Sequence, residues 1–353
     1  MNFKVCHIVG ARPNFIKAAP LIKSISKIDN IDQKIIHTGQ HYSKNLSDSF
    51  FEILKIPHPD YHLGVGSASH AMQTARIIEC CEEVFLKESV DLVIVYGDVN
   101  STLGAALVAS KLRVPIAHVE SGLRSFDRDM PEEVNRVIVD HISDLLFVSE
   151  KSGIDNLRKE GIEDGVFLVG NIMIDTLSEN SNFKSEEKGH ILMTCHRPSN
   201  VDSEAGLNKV LDICQRLKRK IIFPVHPRTR SRISNLGLSE RFDNIENLSM
   251  IESQDYKSFI RLMKESFAII TDSGGIQEES TFLGIPCLTL RKNTERPSTI
   301  ELGTNVLVDS PDEIEKMVNR IEACKYKSGT IPPLWDGQTA DRISKIIIEF
   351  LEN

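Results

Sequence analysis

Ala268-Ile269-Ile270-Thr271-Asp272-Ser273-Gly274-Gly275-Ile276-Gln277-Glu278-Glu279 is the stretch that decides the fold. Its first three residues form the kind of apolar run that a parallel sheet buries on both faces. Ser280 to Leu283, beyond it, have helical character. A strand that ends in Ser-Gly-Gly and passes directly into a helix leaves backbone N–H groups free at the helix start. The glycines admit a ligand close to those groups, and the helix dipole favours an anion there. Glu278 and Glu279 lie one turn in and can reach hydroxyls on the same ligand. A diphosphate carrying a sugar satisfies both halves. A tight turn capped by Ser273 is the plainer alternative. It explains Ser273 and one glycine, but not the paired carboxylates.

Working outward, strand-like runs alternate with helical patterns. Phe3 to Val9, Lys34 to His37, Leu92 to Tyr96, Ile116 to Val119, Leu145 to Val148 and Val166 to Val169 read as strands. Helical patterns follow Pro13 (Phe15, Ala18, Ala19 and Ile22 on one face), span Met72 to Leu86 and run through Ala105 to Val108. Pro20 should break or kink the first helix. Ser178 to Lys188 is polar and aperiodic and reads as a linker. A second series follows at Ile191 to Met193, Ile221 to Val225, Ile269-Ile270, Cys287 to Leu290 and Val306 to Val308. Helices at Leu207 to Leu217 and Phe259 to Met263 lie between these strands, and Thr339 to Leu351 is an amphipathic helix. This βαβ rhythm predicts two doubly wound α/β lobes with a cleft between them. The boundaries are 1–177 and 178–337, with a terminal helix at 338–353.

Length and composition agree. The 353 residues, 41% hydrophobic and 26% charged, suit a soluble globular protein of two domains. A net charge of −8 gives no electrostatic case for nucleic acid or an anionic membrane. No apolar run is long enough to span a bilayer, and the N-terminus enters a strand at once, so no signal peptide is expected. Seven cysteines without CxxC spacing predict reduced, packing thiols in a cytoplasmic protein.

The first strand ends in Gly10-Ala11-Arg12-Pro13-Asn14, which is neither a dinucleotide fingerprint nor a P-loop. Arg12 stands at a strand's C-terminal end, where open α/β sheets bind ligands, and is assigned to phosphate. Lys17, one turn on, is either a surface charge or a second phosphate contact. Asp98 and Glu120 follow what read as neighbouring strands, which places them on one rim of the sheet. Asp98 could instead cap a helix, and Glu132, beside Glu133 after Pro131, could serve a first helical turn. Glu120 after a buried strand is costly without a partner. His196 and His226 both close strands and suggest a rim facing an anion. Arg296, after Leu290-Arg291-Lys292-Asn293-Thr294-Glu295, is a further contact to phosphate or sugar. His37 and His41 are four apart, but Thr38-Gly39 argues against a helix between them, so no metal site is expected.

Taken together, these motifs resemble the non-hydrolysing UDP-N-acetylglucosamine 2-epimerases of bacteria and archaea over nearly the whole chain. The likeness rests on Gly10-Ala11-Arg12-Pro13 with Lys17, Thr38-Gly39-Gln40-His41, Gly97-Asp98 and His118-Val119-Glu120-Ser121-Gly122-Leu123-Arg124. It continues through Pro131-Glu132-Glu133 with Asn135-Arg136, His196-Arg197, Asp272 to Glu279, Thr294-Glu295-Arg296-Pro297 and Trp335-Asp336-Gly337. The resemblance implies a GT-B fold of two Rossmann-like lobes, with the substrate in the interlobe cleft and the final helix returning to the first lobe. It implies Asp98, Glu120 and Glu132 as essential carboxylates and His196 as a catalytic or uridine-side contact. Arg12, His226, Ser273, Gly274 and Gly275 would hold the diphosphate and Glu279 the ribose, with Lys17 and Arg296 near the nucleotide sugar. It further implies a cytoplasmic homodimer without a cofactor, supplying surface polysaccharide synthesis. One departure stands out. The family's usual His-Arg-Arg/Gln-Glu-Asn is here His196-Arg197-Pro198-Ser199-Asn200, and Ser43 stands where a glutamine is common. The missing glutamate is associated in bacterial members with a second, activating UDP-sugar, so activation by substrate is not expected here.

The C2 proton of a pyranose has no neighbouring carbonyl and is barely acidic. Without a dinucleotide site, inversion is expected through loss of UDP from C1 with removal of the C2 proton, giving a glycal. UDP then re-adds after reprotonation on the other face. Carboxylates stabilise the oxocarbenium-like transition state and exchange protons. Arg12, His226 and the Ser273-Gly274-Gly275 helix start stabilise the departing diphosphate. Alternatives are a hydrolysing epimerase, a 2-epimerase of a UDP-diacetamido uronic acid, a GT-B glycosyltransferase and a sugar-nucleotide sensor without turnover. A sensor has no need of acidic groups beside an anionic ligand.

Overall fold

Two parallel sheets organise the chain. The computed structural model describes residues 2–39, 51–181 and 189–353. They fall into two units, Met1–Glu179 with Pro333–Asn353, and Asn180–Pro332. Gln40, His41 and Ser43, and most of the linker expected over Ser178 to Lys188, lie outside the described residues. The helix Ile172–Asn180 occupies the start of that linker.

The strands of the first unit are β1 (Phe3–Val9), β2 (Ile31–His37), β3 (Tyr61–His62), β4 (Leu92–Tyr96), β5 (Ile116–Ser121), β6 (Leu145–Val148) and β7 (Val166–Leu168). All pair in parallel, in the order β3-β2-β1-β4-β5-β6-β7. Every residue of β4 is buried, as a strand covered on both faces requires. Cys6, Ile8, Val93 and Val95 of the sheet pack with Ile77 and Cys81 of the helix His70–Glu88 and Ala105 and Ala109 of the helix Asn100–Leu112.

Pro20 does not end the first helix, which runs unbroken over Arg12–Ile25. Proline removes the N–H that would bond the carbonyl of Ile16 four residues earlier. That carbonyl instead accepts from Thr176 Oγ1 at 2.7 Å, so the helix continues without an orphaned group. The C-terminal helix Thr339–Glu352 packs against this first helix, with Ser24 Oγ donating to Asp341 Oδ1 at 2.7 Å. Ahead of it, buried Trp335 donates from Nε1 to the Ser149 carbonyl at 3.1 Å.

The second unit holds β8 (His190–Thr194), β9 (Ile221–Pro224), β10 (Leu248–Ile251), β11 (Ser266–Thr271), β12 (Cys287–Leu290) and β13 (Asn305–Val308). Their order is β10-β9-β8-β11-β12-β13, again all parallel. The sequence reading lacked β10, a half-buried edge strand without a continuous apolar run. It also lacked the helix Pro311–Glu322, although Ser310 caps it, Pro311 opens it, and Ile314, Val318 and Ile321 bury one face.

Candidate active site

In each sheet the strand order reverses once, between β1 and β4 and between β8 and β11. Connections leave in opposite directions at such a point and open a crevice at the carboxyl ends of the strands. Gly10-Ala11-Arg12 and Gly97-Asp98 lie at the first reversal. Cys195-His196 and Asp272-Ser273 lie at the second.

In the first unit, Asn14 ties the crevice together. Its Oδ1 accepts from the N–H groups of Gly10 (3.1 Å) and Ala11 (2.9 Å), and its Nδ2 donates to the Tyr96 carbonyl at 2.8 Å. Arg12 opens the following helix with its side chain exposed. Lys17 is not a surface charge: it is buried, with Nζ 2.7 Å from Glu120 Oε1. Gly97, in the left-handed region at φ 63, leaves room for this pair, since a Cβ there would fall 2.9 Å from Lys17 Nζ.

The expected end of β5 at Val119 is too early. The strand continues to Ser121, but its register on β6 shifts between Val119 and Ser121, leaving Glu120 as a bulge residue. Glu120 has φ 72, a conformation that costs a non-glycine residue of order 1 kcal/mol or more and that clusters at functional sites. The bulge turns a still-buried carboxylate onto Lys17.

Asp98 caps no helix: the cap position of Asn100–Leu112 is Val99. The Asp98 carboxylate instead pairs with Arg136, while its carbonyl accepts from Asn135 Nδ2 at 2.8 Å. Arg136 also binds Glu133, Nη1 to Oε2 at 2.6 Å. Glu133 accepts from Ser125 N (2.9 Å), Ser125 Oγ (2.9 Å) and Phe126 N (2.8 Å) as well. Of the adjacent glutamates, buried Glu133 therefore braces the loop, and Glu132 is half-buried.

In the second unit, fully buried Asp272 is the organising group. Its carboxylate accepts from the N–H groups of His196 (3.0 Å) and Arg197 (2.9 Å), from Asn200 Nδ2 (3.0 Å) and from Cys195 Sγ (3.2 Å), and lies 3.3 Å from His196 Nδ1. Burial alone would raise its pKa, but His196 and these donors hold it below the usual carboxylate value. The same burial beside Asp272 pushes the Cys195 thiol well up, so this cysteine is inert. The rings of His196 and His226 lie 5.5 Å apart. His226 caps the helix Pro227–Asn235, its Nδ1 accepting from Arg228 N at 3.2 Å. That bond leaves Nε2 as the protonated, donating nitrogen. The basic residues beyond it are partly neutralised, because Arg228 and Arg232 both pair with Asp202.

Helix Gly274–Phe282 starts at the Ser-Gly-Gly turn, and Ser273 occupies the cap position without a side-chain bond. The Ser273 hydroxyl thus does not consume the N–H groups of the helix start, while the Ser273 N–H itself donates to Thr271 Oγ1 at 3.0 Å. Gly274 is required by packing, since a Cβ would fall 2.5 Å from Arg296 Nη1 and 2.8 Å from Glu295 Oε1. Arg296 is buried, with Nε 3.0 Å from Glu278 Oε1 and Nη1 on Glu295, and Glu295 also takes Arg291 Nη2 at 2.7 Å. Glu278 therefore holds Arg296 rather than reaching back to a ligand. Glu279 accepts from Tyr256 OH at 3.1 Å.

The first unit thus brings Lys17 onto Glu120 and ties Asp98 to the helix that carries Glu132, with Arg12 opening the first helix. The second brings together His196, His226, Ser273, Gly274, Gly275, Glu279 and Arg296. The sequence reading did not single out Asp272, Glu133, Glu278 or Glu295 as braces. An acidic residue directly after a buried strand was the available signal for Asp272. Among the described residues no group of three or more His, Cys, Asp or Glu is arranged to hold a metal. His37 instead stacks on Phe15 with ring centroids 5.2 Å apart. No described helix is long and apolar enough to cross a membrane, and none of the seven cysteines is in a disulfide.

Residues 23–348 match the family model described as UDP-N-acetylglucosamine 2-epimerase. The chain is 41% identical over 363 residues to the UDP-N-acetylglucosamine 2-epimerase of Methanocaldococcus jannaschii, covering 98% of both chains. It is 41% identical over 318 residues to the UDP-2,3-diacetamido-2,3-dideoxy-D-glucuronate 2-epimerase of Pseudomonas aeruginosa, covering 86% of this chain and 88% of that one. The crystal structure of the M. jannaschii enzyme in complex with UDP-GlcNAc and UDP superposes with a TM-score of 0.91, covering 98% of this chain and 100% of that one.

Proposed function

The chain belongs to the UDP-N-acetylglucosamine 2-epimerase family, and from that premise we propose that it interconverts UDP-N-acetylglucosamine and UDP-N-acetylmannosamine through a glycal. The observation that carries this reading is the carboxylate pair of the first unit. Asp98 is held by Arg136, and strained Glu120 by Lys17, at the ends of adjacent parallel strands. A binding protein has no use for a strained, buried carboxylate beside an anionic ligand.

In the forward direction a carboxylate takes the proton from C2 as the C1–O bond to UDP breaks, and the electron pair forms the C1–C2 double bond. In the return step a proton adds to C2 on the opposite face while UDP oxygen re-bonds to C1. UDP is thus leaving group and returning nucleophile, and nothing is consumed. Asp98, Glu120 and Glu132 supply the proton transfers and stabilise the oxocarbenium character at C1. His226 Nε2–H, Arg12 and the Ser273-Gly274-Gly275 helix start take up the charge gathering on the diphosphate. His196, held by Asp272, faces the nucleotide end, Glu279 takes the ribose, and Arg296 braces the turn. Lys17 holds Glu120 in place.

Incubation with UDP-N-acetylglucosamine in deuterated water, followed by proton NMR, tests this. Deuterium at C2 and UDP-N-acetylmannosamine are expected. Free N-acetylmannosamine with UDP would make the enzyme hydrolysing, and no exchange would refute this substrate. A UDP-diacetamido uronic acid is the second substrate to try, because the Pseudomonas relative is 41% identical and His196-Arg197 runs into Pro198-Ser199 here. We further read the protein as a cytoplasmic homodimer. Exposed Val134 and Ile138, one turn apart on the helix Pro131–Ile142, supply an apolar face for a second copy. Sedimentation at micromolar concentration checks this.

A further inference from the structure

Beneath Asp98 and Glu120 lies a group of buried side chains that the reaction above does not use. His118 is on β5 with no solvent exposure. Its Nε2 is 2.8 Å from the Gly97 carbonyl and its Nδ1 2.7 Å from Asp140 Oδ1. A carbonyl can only accept, so Nε2 carries a proton. Asp140 is fully buried and accepts from Arg124 Nη1 at 2.6 Å and from Gly122 N at 3.0 Å. Burial opposes its ionisation, but His118 and Arg124 hold its carboxyl below the usual value, as a charged acceptor. Nδ1 faces that carboxylate, so both ring nitrogens are held and the ring is fixed within the sheet.

The backbone bonds of His118 and Asp140 end beside the two carboxylates. Gly97 precedes Asp98, and its N–H donates to the Val119 carbonyl at 2.9 Å while His118 holds its own carbonyl. Gly122 follows the bulge at Glu120, and its N–H is held by Asp140. A residue kept at φ 72 persists only where its surroundings over-determine it. Here the strand fixes one side of the bulge and Asp140 the other. Arg124 completes the group and is anchored to Glu160, Nε to Oε1 at 2.8 Å and Nη2 to Oε2 at 2.7 Å.

We propose that His118 and Asp140 are a buried pair of positioning residues that lock the Gly97-Asp98 and Glu120-Gly122 backbones together, and so set the spacing of the two carboxylates on which the reaction depends. The proposal rests on the role given above to Asp98 and Glu120. Neither residue reaches the substrate, so their loss should act on turnover and leave nucleotide binding alone.

The test measures C2 exchange and UDP affinity for wild type, Asp140→Asn, His118→Gln and His118→Ala. A displacement of about 1 Å at reacting groups costs about 100-fold in rate, so kcat should fall by about that factor in Asp140→Asn while UDP affinity stays within about threefold. His118→Gln keeps an N–H for the Gly97 carbonyl and should retain more activity than His118→Ala. Turnover unchanged in both Asp140→Asn and His118→Ala overturns the proposal, as does an equal loss of turnover and UDP affinity. Should the variants not fold, nitrogen-15 NMR of histidine-labelled wild type decides: a solvent-protected Nε2–H bonded to the Gly97 carbonyl is expected for His118, and its absence overturns the pairing. A wild type that exchanges no C2 proton refutes the functional reading instead. The lock is then judged by the ring signals and by whether Glu120 leaves its left-handed conformation in Asp140→Asn.

Discussion

Replacing Lys17 with methionine should unbalance a deeply buried ion pair of the candidate active site. Lys17 Nζ and Glu120 Oε1 are 2.7 Å apart, with side chains 5% and 4% exposed. At an effective dielectric constant of about 20, unit charges at 2.7 Å attract by about 6 kcal/mol. Burial costs several kcal/mol per ion, so intact pair and neutral pair are nearly balanced. Removing one partner leaves the other charge buried without its counterion, at about 3–5 kcal/mol. Lys17→Met and Glu120→Gln should each lose that much, and the double variant should lie within about 1–2 kcal/mol of wild type. Two units make a single unfolding transition unsafe to assume. The lone tryptophan, Trp335, is buried in the unit that holds the pair, so its fluorescence in a urea titration reports that unit alone. All three variants should lose C2 exchange. Additive losses in the double variant, or a loss below about 1 kcal/mol in Lys17→Met, would refute the pair as described.

Three further outcomes follow from single contacts. Asp175 Oδ2 accepts from Ala340 N at 2.7 Å at the start of the C-terminal helix, and burial raises its pKa from 3.8 to about 6. The folded state thus binds this proton more tightly than the unfolded chain. Its contribution is intact below pH 4 and lost as pH rises through about 6, on the order of 3 kcal/mol in all. Asp175→Asn should remove that slope, and an unchanged slope by denaturation from pH 4 to 7.5 would contradict it. Gly274→Ala places a Cβ 2.5 Å from Arg296 Nη1, which Glu278 and Glu295 hold in place, so the helix start must shift. UDP affinity by calorimetry should fall at least about tenfold, and unchanged affinity would remove the turn from the diphosphate site. Thr176→Val leaves the Ile16 carbonyl unpaired opposite Pro20 and should destabilise the first unit by about 1–3 kcal/mol, read by the same fluorescence. A neutral result would show that Pro20 needs no partner.

The alternation of strands and helices was legible because parallel strands covered on both faces are short apolar runs, whose ends are marked by glycine and polar residues. For the same reason Asp98, Glu120, His196 and Ser273 were found at strand ends. What failed was local. Pro20 looked like a break because its remedy, Thr176, is 156 positions away in the chain. The strand β5 looked shorter than it is because a bulge has no composition of its own.

Two doubly wound sheets, the strand ends that form the candidate site and the family were all readable from the order of residues in the chain. Those features follow from hydrophobic period and from motifs contiguous in the chain. Which charged groups are partners emerges from the folded arrangement: Lys17 with Glu120, Arg136 with Asp98 and Glu133, Arg296 with Glu278 and Glu295, His118 with Asp140. Candidate chemistry and structural brace are the same residue types, and Glu132 and Glu133 stand side by side. Their roles separate only when burial and the nearest opposite charge are known, because a carboxylate's cost and protonation depend on a few ångströms of surroundings that chain order does not specify.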